Sequence, residues 1–152
     1  MKIILLSDDA IRLEPIPGPL TIEAVDPAQS YSPFHMLASG LATCTFSVMS
    51  AWATHASLDI GDLAVEVHWT FADDPHRVDA MHLTFDWPSL PAKRYAAAQR
   101  VAEMCTIHAT LSHPPTISVD LKTSSSSERS NATSSSAEQE VPEEHVHSES
   151  AL

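Results

Sequence analysis

The spacing of apolar positions divides the chain into short strands, one long chargeless helix, a hairpin and a second helical segment, and it fades out near residue 122. Lys2–Leu6 is an apolar run, Asp8-Asp9 reads as a turn, and Ala10–Glu14 as a second short strand. Pro15, Pro17, Gly18 and Pro19 interrupt the pattern before Leu20–Ala24 resumes it. A loop from Asp26-Pro27 to Tyr31 then leads into a helix expected over Pro33 to about His55. Ser32 suits its N-cap and Pro33 its first helical position, where the missing N–H is one that no helix would bond anyway.

That helix contains no Asp, Glu, Lys or Arg from Pro33 to Ser57. A helix without a charged face must be covered by the rest of the fold or by a partner chain. Leu37, Leu41, Cys44 and Val48 follow one another at helical spacing along one face. Ala38, Ser39, Gly40, Ala42 and Thr43 are small enough to permit close approach near the cysteine.

Period two takes over next. Leu63, Val65, Val67, Trp69 and Phe71 alternate with polar residues, then Met81, Leu83, Phe85 and Trp87 do the same, and Asp73-Asp74-Pro75-His76 turns between them. Two amphipathic strands and a turn make a hairpin. Pro88-Ser89-Leu90-Pro91 precedes a second helix, expected from Ala92 to about Leu111, with Ala97, Val101, Cys105 and His108 on one stripe and Lys93, Arg94 and Arg100 on a wetter side. His113-Pro114-Pro115 ends it, and Ile117, Val119 and Leu121 alternate as a last strand over Thr116–Leu121. The expected organisation is one α+β domain over residues 1–122 and a disordered Ser/Glu-rich acidic tail over 123–152, whose composition offers too little apolar surface to fold.

Charge narrows the function classes. Of 20 acidic and 8 basic residues, the tail holds six Glu and one Arg, so a body of 14 acidic and 7 basic residues is itself negative. Such a surface argues against binding phosphate backbones, and nucleic acid is not an expected partner. The N-terminal apolar run is too short for a signal peptide, and the polar residues His35, Thr43, Ser47, Ser50 and His55 make Pro33–Ser57 a core helix in preference to a membrane span. With two cysteines and no export signal, the expected compartment is the reducing cytoplasm.

Chemistry then centres on Cys44 and Cys105, 61 residues apart on the buried stripes of two helices. If those helices pack together the pair could form a redox-active dithiol; otherwise both are buried structural thiols, which free cysteines often are. His108 could bias Cys105 or join a zinc site, but a packed core histidine is the simpler account, and no metal is expected. His145 and His147 amount at most to a weak, nonspecific metal patch. Trp69, Phe71 and Trp87 read as hairpin core.

The run Ser32-Pro33-Phe34-His35-Met36-Leu37-Ala38-Ser39-Gly40-Leu41-Ala42-Thr43-Cys44 resembles the first-cysteine helix of the OsmC/Ohr family. The likeness continues through the hairpin with its Asp73-Asp74-Pro75 turn to Ala102-Glu103-Met104-Cys105, similar to the second family helix. It covers roughly Tyr31 to Leu121. The resemblance implies antiparallel sheets around two long central helices, in an intertwined homodimer with active sites at the subunit interface. It also implies a thiol-dependent peroxidase acting on organic hydroperoxides in oxidative-stress defence. Cys44 would attack the peroxide, Cys105 would resolve it as a Cys44–Cys105 disulfide, and an external dithiol would reduce that disulfide with no metal or organic cofactor. Phe34, Met36 and Leu41 would line the substrate site.

Two departures stand out. The family's acidic residue just after the proline is replaced by Phe34 and His35. His35 does not substitute along the helix, because nine residues at about 100° each put it opposite Cys44. The family's thiolate-stabilising arginine maps to the N-terminal region, where Arg12 is the candidate and Lys2 a poorer one. The missing acid motivates an alternative: a non-catalytic dimer of the same fold that binds a small hydrophobic ligand in its interface pocket.

Overall fold

A computed structural model describes residues 1–122; the acidic tail expected over 123–152, with His145 and His147, lies outside the described residues. The elements are β1 (Lys2–Ser7), β2 (Ala10–Glu14), β3 (Thr21–Ala24), α1 (Pro33–His55), β4 (Ala64–Ala72), β5 (Arg77–Asp86), a 3-10 turn (Ala92–Arg94), α2 (Tyr95–Ala102) and α3 (Thr106–Ser112). The strands form one five-stranded sheet in the order β3-β1-β2-β4-β5. All neighbours are antiparallel except β1 and β3.

Alternation decides which side of the sheet is dry. Ile3, Leu5, Ile11, Leu13, Val65, Val67 and Trp69 point to one face and are buried with Leu41, Ala42, Phe46, Met49 and Ala53 of α1. Burying each large apolar side chain contributes about 1.5–3 kcal/mol, whereas an exposed ion pair contributes about 0–1 kcal/mol. The contact between the sheet and α1 therefore dominates stability. Register carries the same face onto β5, where Phe85, Leu83 and Met81 oppose Val65, Val67 and Trp69 but are only half-buried. The hairpin is as the alternation predicts.

Two expected elements differ. The second helix does not run unbroken from Ala92 to Leu111: it is a 3-10 turn, then α2, then α3, with Cys105 in extended conformation (φ −63°, ψ 128°) between the two helices. The sulfur caps the second piece, so the apolar stripe reads through a break that periodicity does not register. Nor is Thr116–Leu121 a strand. The chain divides into two units, 1–115 and 116–152, and the described part of the second has no regular structure, with Ile117, Val119 and Leu121 exposed. Alternation prepares a segment for a ladder, but a strand exists only where a partner supplies the hydrogen bonds.

Candidate dithiol site

Cys44 is placed by the way α1 is anchored. Ser32 accepts a hydrogen bond from the His35 N–H, while the His35 Nδ1 accepts from the Ser32 N–H at 3.1 Å, a reciprocal cap with histidine in the place usually held by Glu or Gln. With Nδ1 accepting, Nε2 carries the proton and donates to the Ser7 carbonyl at 2.9 Å. His35 is buried and stands edge-on to Trp69, with ring centroids 5.3 Å apart. It fastens the start of α1 to the end of β1. Tyr31 adds a second tie, donating to Ser39 Oγ at 2.6 Å.

Three turns into this anchored helix, Cys44 is half-buried and borders a shallow hollow of about 510 Å³ shared with Met1, Ile3, Leu20, Tyr31 and Ser39. Cys105 is fully buried. Its location follows from the helix break: after α2 ends, the free N–H groups at the start of α3 point back at the capping side chain, and His108 N–H donates to the Cys105 sulfur at 3.4 Å. α1, which carries Cys44, packs against α3, which Cys105 caps. Burial is the strongest single influence on Cys105 and pushes its pKa up. The neighbouring polar groups, Cys44 first, then His108 N–H, Thr45 and Ile107 N–H, together outweigh burial and hold the thiol below its ordinary range. Both cysteines are free.

The other expected site residues are not gathered here. Arg12 was expected beside Cys44, but it sits on the opposite face of β2 from the buried Ile11 and Leu13. Its guanidinium donates to Glu66 at 2.5 Å and to Asp86 at 2.8 Å, with Glu14 3.5 Å away. Hydrogen bonding to Asp86 is the main influence raising its pKa. Period two forces this placement: a residue between two core positions must face out. Phe34 packs edge-on against Phe71 at 4.8 Å, Met36 is exposed, and Leu41 is buried and borders a different cavity. None of these three lines the hollow at Cys44.

That second cavity is a cleft of about 720 Å³ between α1, β5, α2 and α3. Leu37, Leu41, Met81, Leu83, Phe85 and Leu111 form apolar walls, with Arg100, Glu103 and His108 among its polar lining. It exists because α1 covers the apolar face of β4 but not that of β5. Sequence reasoning missed Thr45, the residue beside the nucleophile candidate, and Leu20, whose strand seemed remote from the helix.

The family model for OsmC-like proteins matches residues 26–120, which include α1, the hairpin and both cysteines. The chain belongs to the OsmC-like family. A crystal structure from Psychrobacter arcticus, described as an osmotic stress induced and detoxification response protein, is similar to this OsmC-like chain at 26% identity and a TM-score of 0.51. The similarity covers 55% of this chain and 62% of that one, so the chain spans about three fifths of that protein's length. Among curated proteins no match is found.

Proposed function

We propose that this OsmC-like protein is a cysteine-based peroxidase that reduces organic hydroperoxides in oxidative-stress defence. The observation that carries the reading is that α1, bearing the half-buried Cys44, packs against α3, capped by Cys105, and that both thiols are free. Family membership and the stress-response description of the Psychrobacter arcticus protein support it. The Cys44 sulfur, the more accessible of the two, attacks the terminal oxygen of R–O–O–H. The O–O bond breaks, the alkoxide leaves and takes a proton to become ROH, and Cys44 becomes a sulfenic acid. The Cys105 thiolate then attacks the Cys44 sulfur; the S–S bond forms, the S–O bond breaks, and hydroxide leaves and is protonated to water. An external dithiol reduces the disulfide by exchange. The hollow's walls Met1, Ile3 and Leu20 suit the apolar part of such a peroxide. A cytoplasmic setting suits two free thiols.

A second copy of the chain completes this reading. Met36, Leu37, Gly40, Ser47 and Ala51 form an uncharged, exposed stripe along α1, the face an intertwined homodimer would cover. The deciding assay follows loss of an organic hydroperoxide in the presence of dithiothreitol. The wild type should turn over and Cys44→Ser should not; equal consumption by both would remove the catalytic role.

The cleft beside β5 favours one alternative, a non-catalytic dimer that holds a small hydrophobic ligand. Its walls are apolar, and the acidic residue expected near Cys44 is absent. An environment-sensitive apolar dye displaced by fatty acids, in a protein without peroxide turnover, would select that function.

A further inference from the structure

The hollow beside Cys44 has a hydrogen-bond direction built into it. Tyr31 donates to Ser39 Oγ at 2.6 Å, and the buried Ser39 donates to the His35 carbonyl at 2.7 Å. Ser39 has one hydroxyl hydrogen and directs it to that carbonyl, so it meets Tyr31 as the acceptor, and the Tyr31 hydrogen is committed to it. The Tyr31 oxygen keeps an accepting lone pair, and among the described residues no group donates to it. Tyr31 and Ser39 border the same hollow as Cys44, whose walls are otherwise mainly Met1, Ile3 and Leu20, with Thr43 as the other hydroxyl. The Tyr31 ring stacks on His35, centroids 5.9 Å apart, and His35 is itself fixed to Ser32 and Ser7. Gly40, also on the hollow, stands one helical turn before Cys44, and a helical side chain leans towards the preceding turn. The thiol therefore leans over a residue without a side chain, where a Cβ would meet no atom within 4 Å. Glycine inside a helix is unfavourable, and nothing packed against Gly40 requires it; its effect is to leave the space over the sulfur clear.

We propose that Tyr31 binds and orients the hydroperoxide at Cys44: its oxygen accepts the O–H of R–O–O–H and so presents the hydrogen-bearing oxygen to the sulfur. The proposal rests on the peroxidase reading and deepens it. A phenol whose own hydrogen is committed to Ser39 acts towards the hollow as an acceptor alone. The site thereby recognises the O–H that separates a hydroperoxide from a dialkyl peroxide. With the Cys44 proton released to solvent, the S–O bond forms as the O–O bond breaks. The hydrogen stays on the transferred oxygen and the sulfur is oxidised to a sulfenic acid. The peroxide is reduced, and the departing alkoxide takes a proton from water at the shallow hollow to become ROH. Tyr31 neither gives nor takes a proton in this step.

The test reads binding without turnover, so it stands apart from the activity assay. The full-length Cys44→Ser chain, which has no attacking thiol at that position, is titrated by ligand-observed NMR with cumene hydroperoxide and with its methyl-capped form, cumyl methyl peroxide. The hydroperoxide should bind roughly fivefold more tightly, the worth of one neutral hydrogen bond. Adding Tyr31→Phe keeps the ring and the Ser39 bond to the carbonyl; it should weaken the hydroperoxide by that factor and leave the capped peroxide unchanged. Adding Ser39→Ala frees the Tyr31 hydrogen to donate, so the capped peroxide should gain affinity and the preference should narrow. In the protein with Cys44 intact, Tyr31→Phe should raise KM by a similar factor and keep kcat within about twofold. Equal affinity for the two peroxides, a preference that survives Tyr31→Phe, or no binding of either overturns the proposal. If Tyr31→Phe fails to fold, an unchanged preference in Ser39→Ala overturns it equally. A preference that depends on Tyr31 in a chain that consumes no peroxide would overturn the peroxidase reading and leave the binding role standing.

Discussion

The two cysteine-bearing helical regions are built in opposite ways. α1 runs unbroken for 23 residues and displays Cys44 from its middle, where the surrounding N–H groups serve the helix. The region carrying Cys105 is interrupted, and the interruption frees the His108 N–H to donate to the sulfur. A continuous helix positions a side chain, whereas a broken one also supplies it with donors. One cysteine is thus given access and the other electrostatic support. In the proposed redox pair, the two sulfurs would divide between them what a single reactive thiol otherwise needs.

The largest test of this contrast is to remove each sulfur separately. Cys44→Ser should abolish peroxide turnover, whereas Cys105→Ser should still consume about one equivalent of peroxide and then stop with Cys44 oxidised, a difference read by mass spectrometry. Equal loss in both at the first equivalent would break the division. Next in size is the anchor of α1: His35→Ala removes the reciprocal cap and the bond to Ser7, and should destabilise the protein by about 2–3 kcal/mol in urea unfolding. Cys105→Ala removes the cap of α3 and should cost about 1 kcal/mol in the same measurement. Arg12→Ala should cost roughly 1 kcal/mol or less, since its partners are partly exposed, and should leave the thiol titration unchanged; a shifted thiol midpoint would return Arg12 to the site.

The smallest effect is in pH. Because the folded state holds the Cys105 pKa below its unfolded value, the folded protein releases that proton earlier as pH rises. Stability of the reduced protein should therefore increase with pH through the folded midpoint, be fully present above the ordinary thiol value near 8.5, and be lost again on acidification. Thermal melting under reducing conditions across that window checks the sign, and Cys105→Ser should flatten the slope.

Much of the framework was legible in advance. The hairpin follows from alternation, and α1 from Ser32-Pro33 and the chargeless run behind it. His35 was rightly set apart from Cys44 by helical phase, although its role as the partner of Ser32 and Ser7 was not foreseen. Arg12 faces away from the core of this chain, as Ile11 and Leu13 on either side of it already assign by period two. The break before α3 was harder to see, since Met104 and Cys105 are as acceptable within a helix as at its end.

Local order and the identity of the nucleophile candidates were determined by the sequence alone, because period, caps and turns act over a few residues. Only the tertiary structure decided that α1 packs against α3 and that Arg12 is held by Glu66 and Asp86. Those contacts join residues tens of positions apart. They depend on how α1 lies across the sheet and where the second helix breaks, which no local pattern encodes.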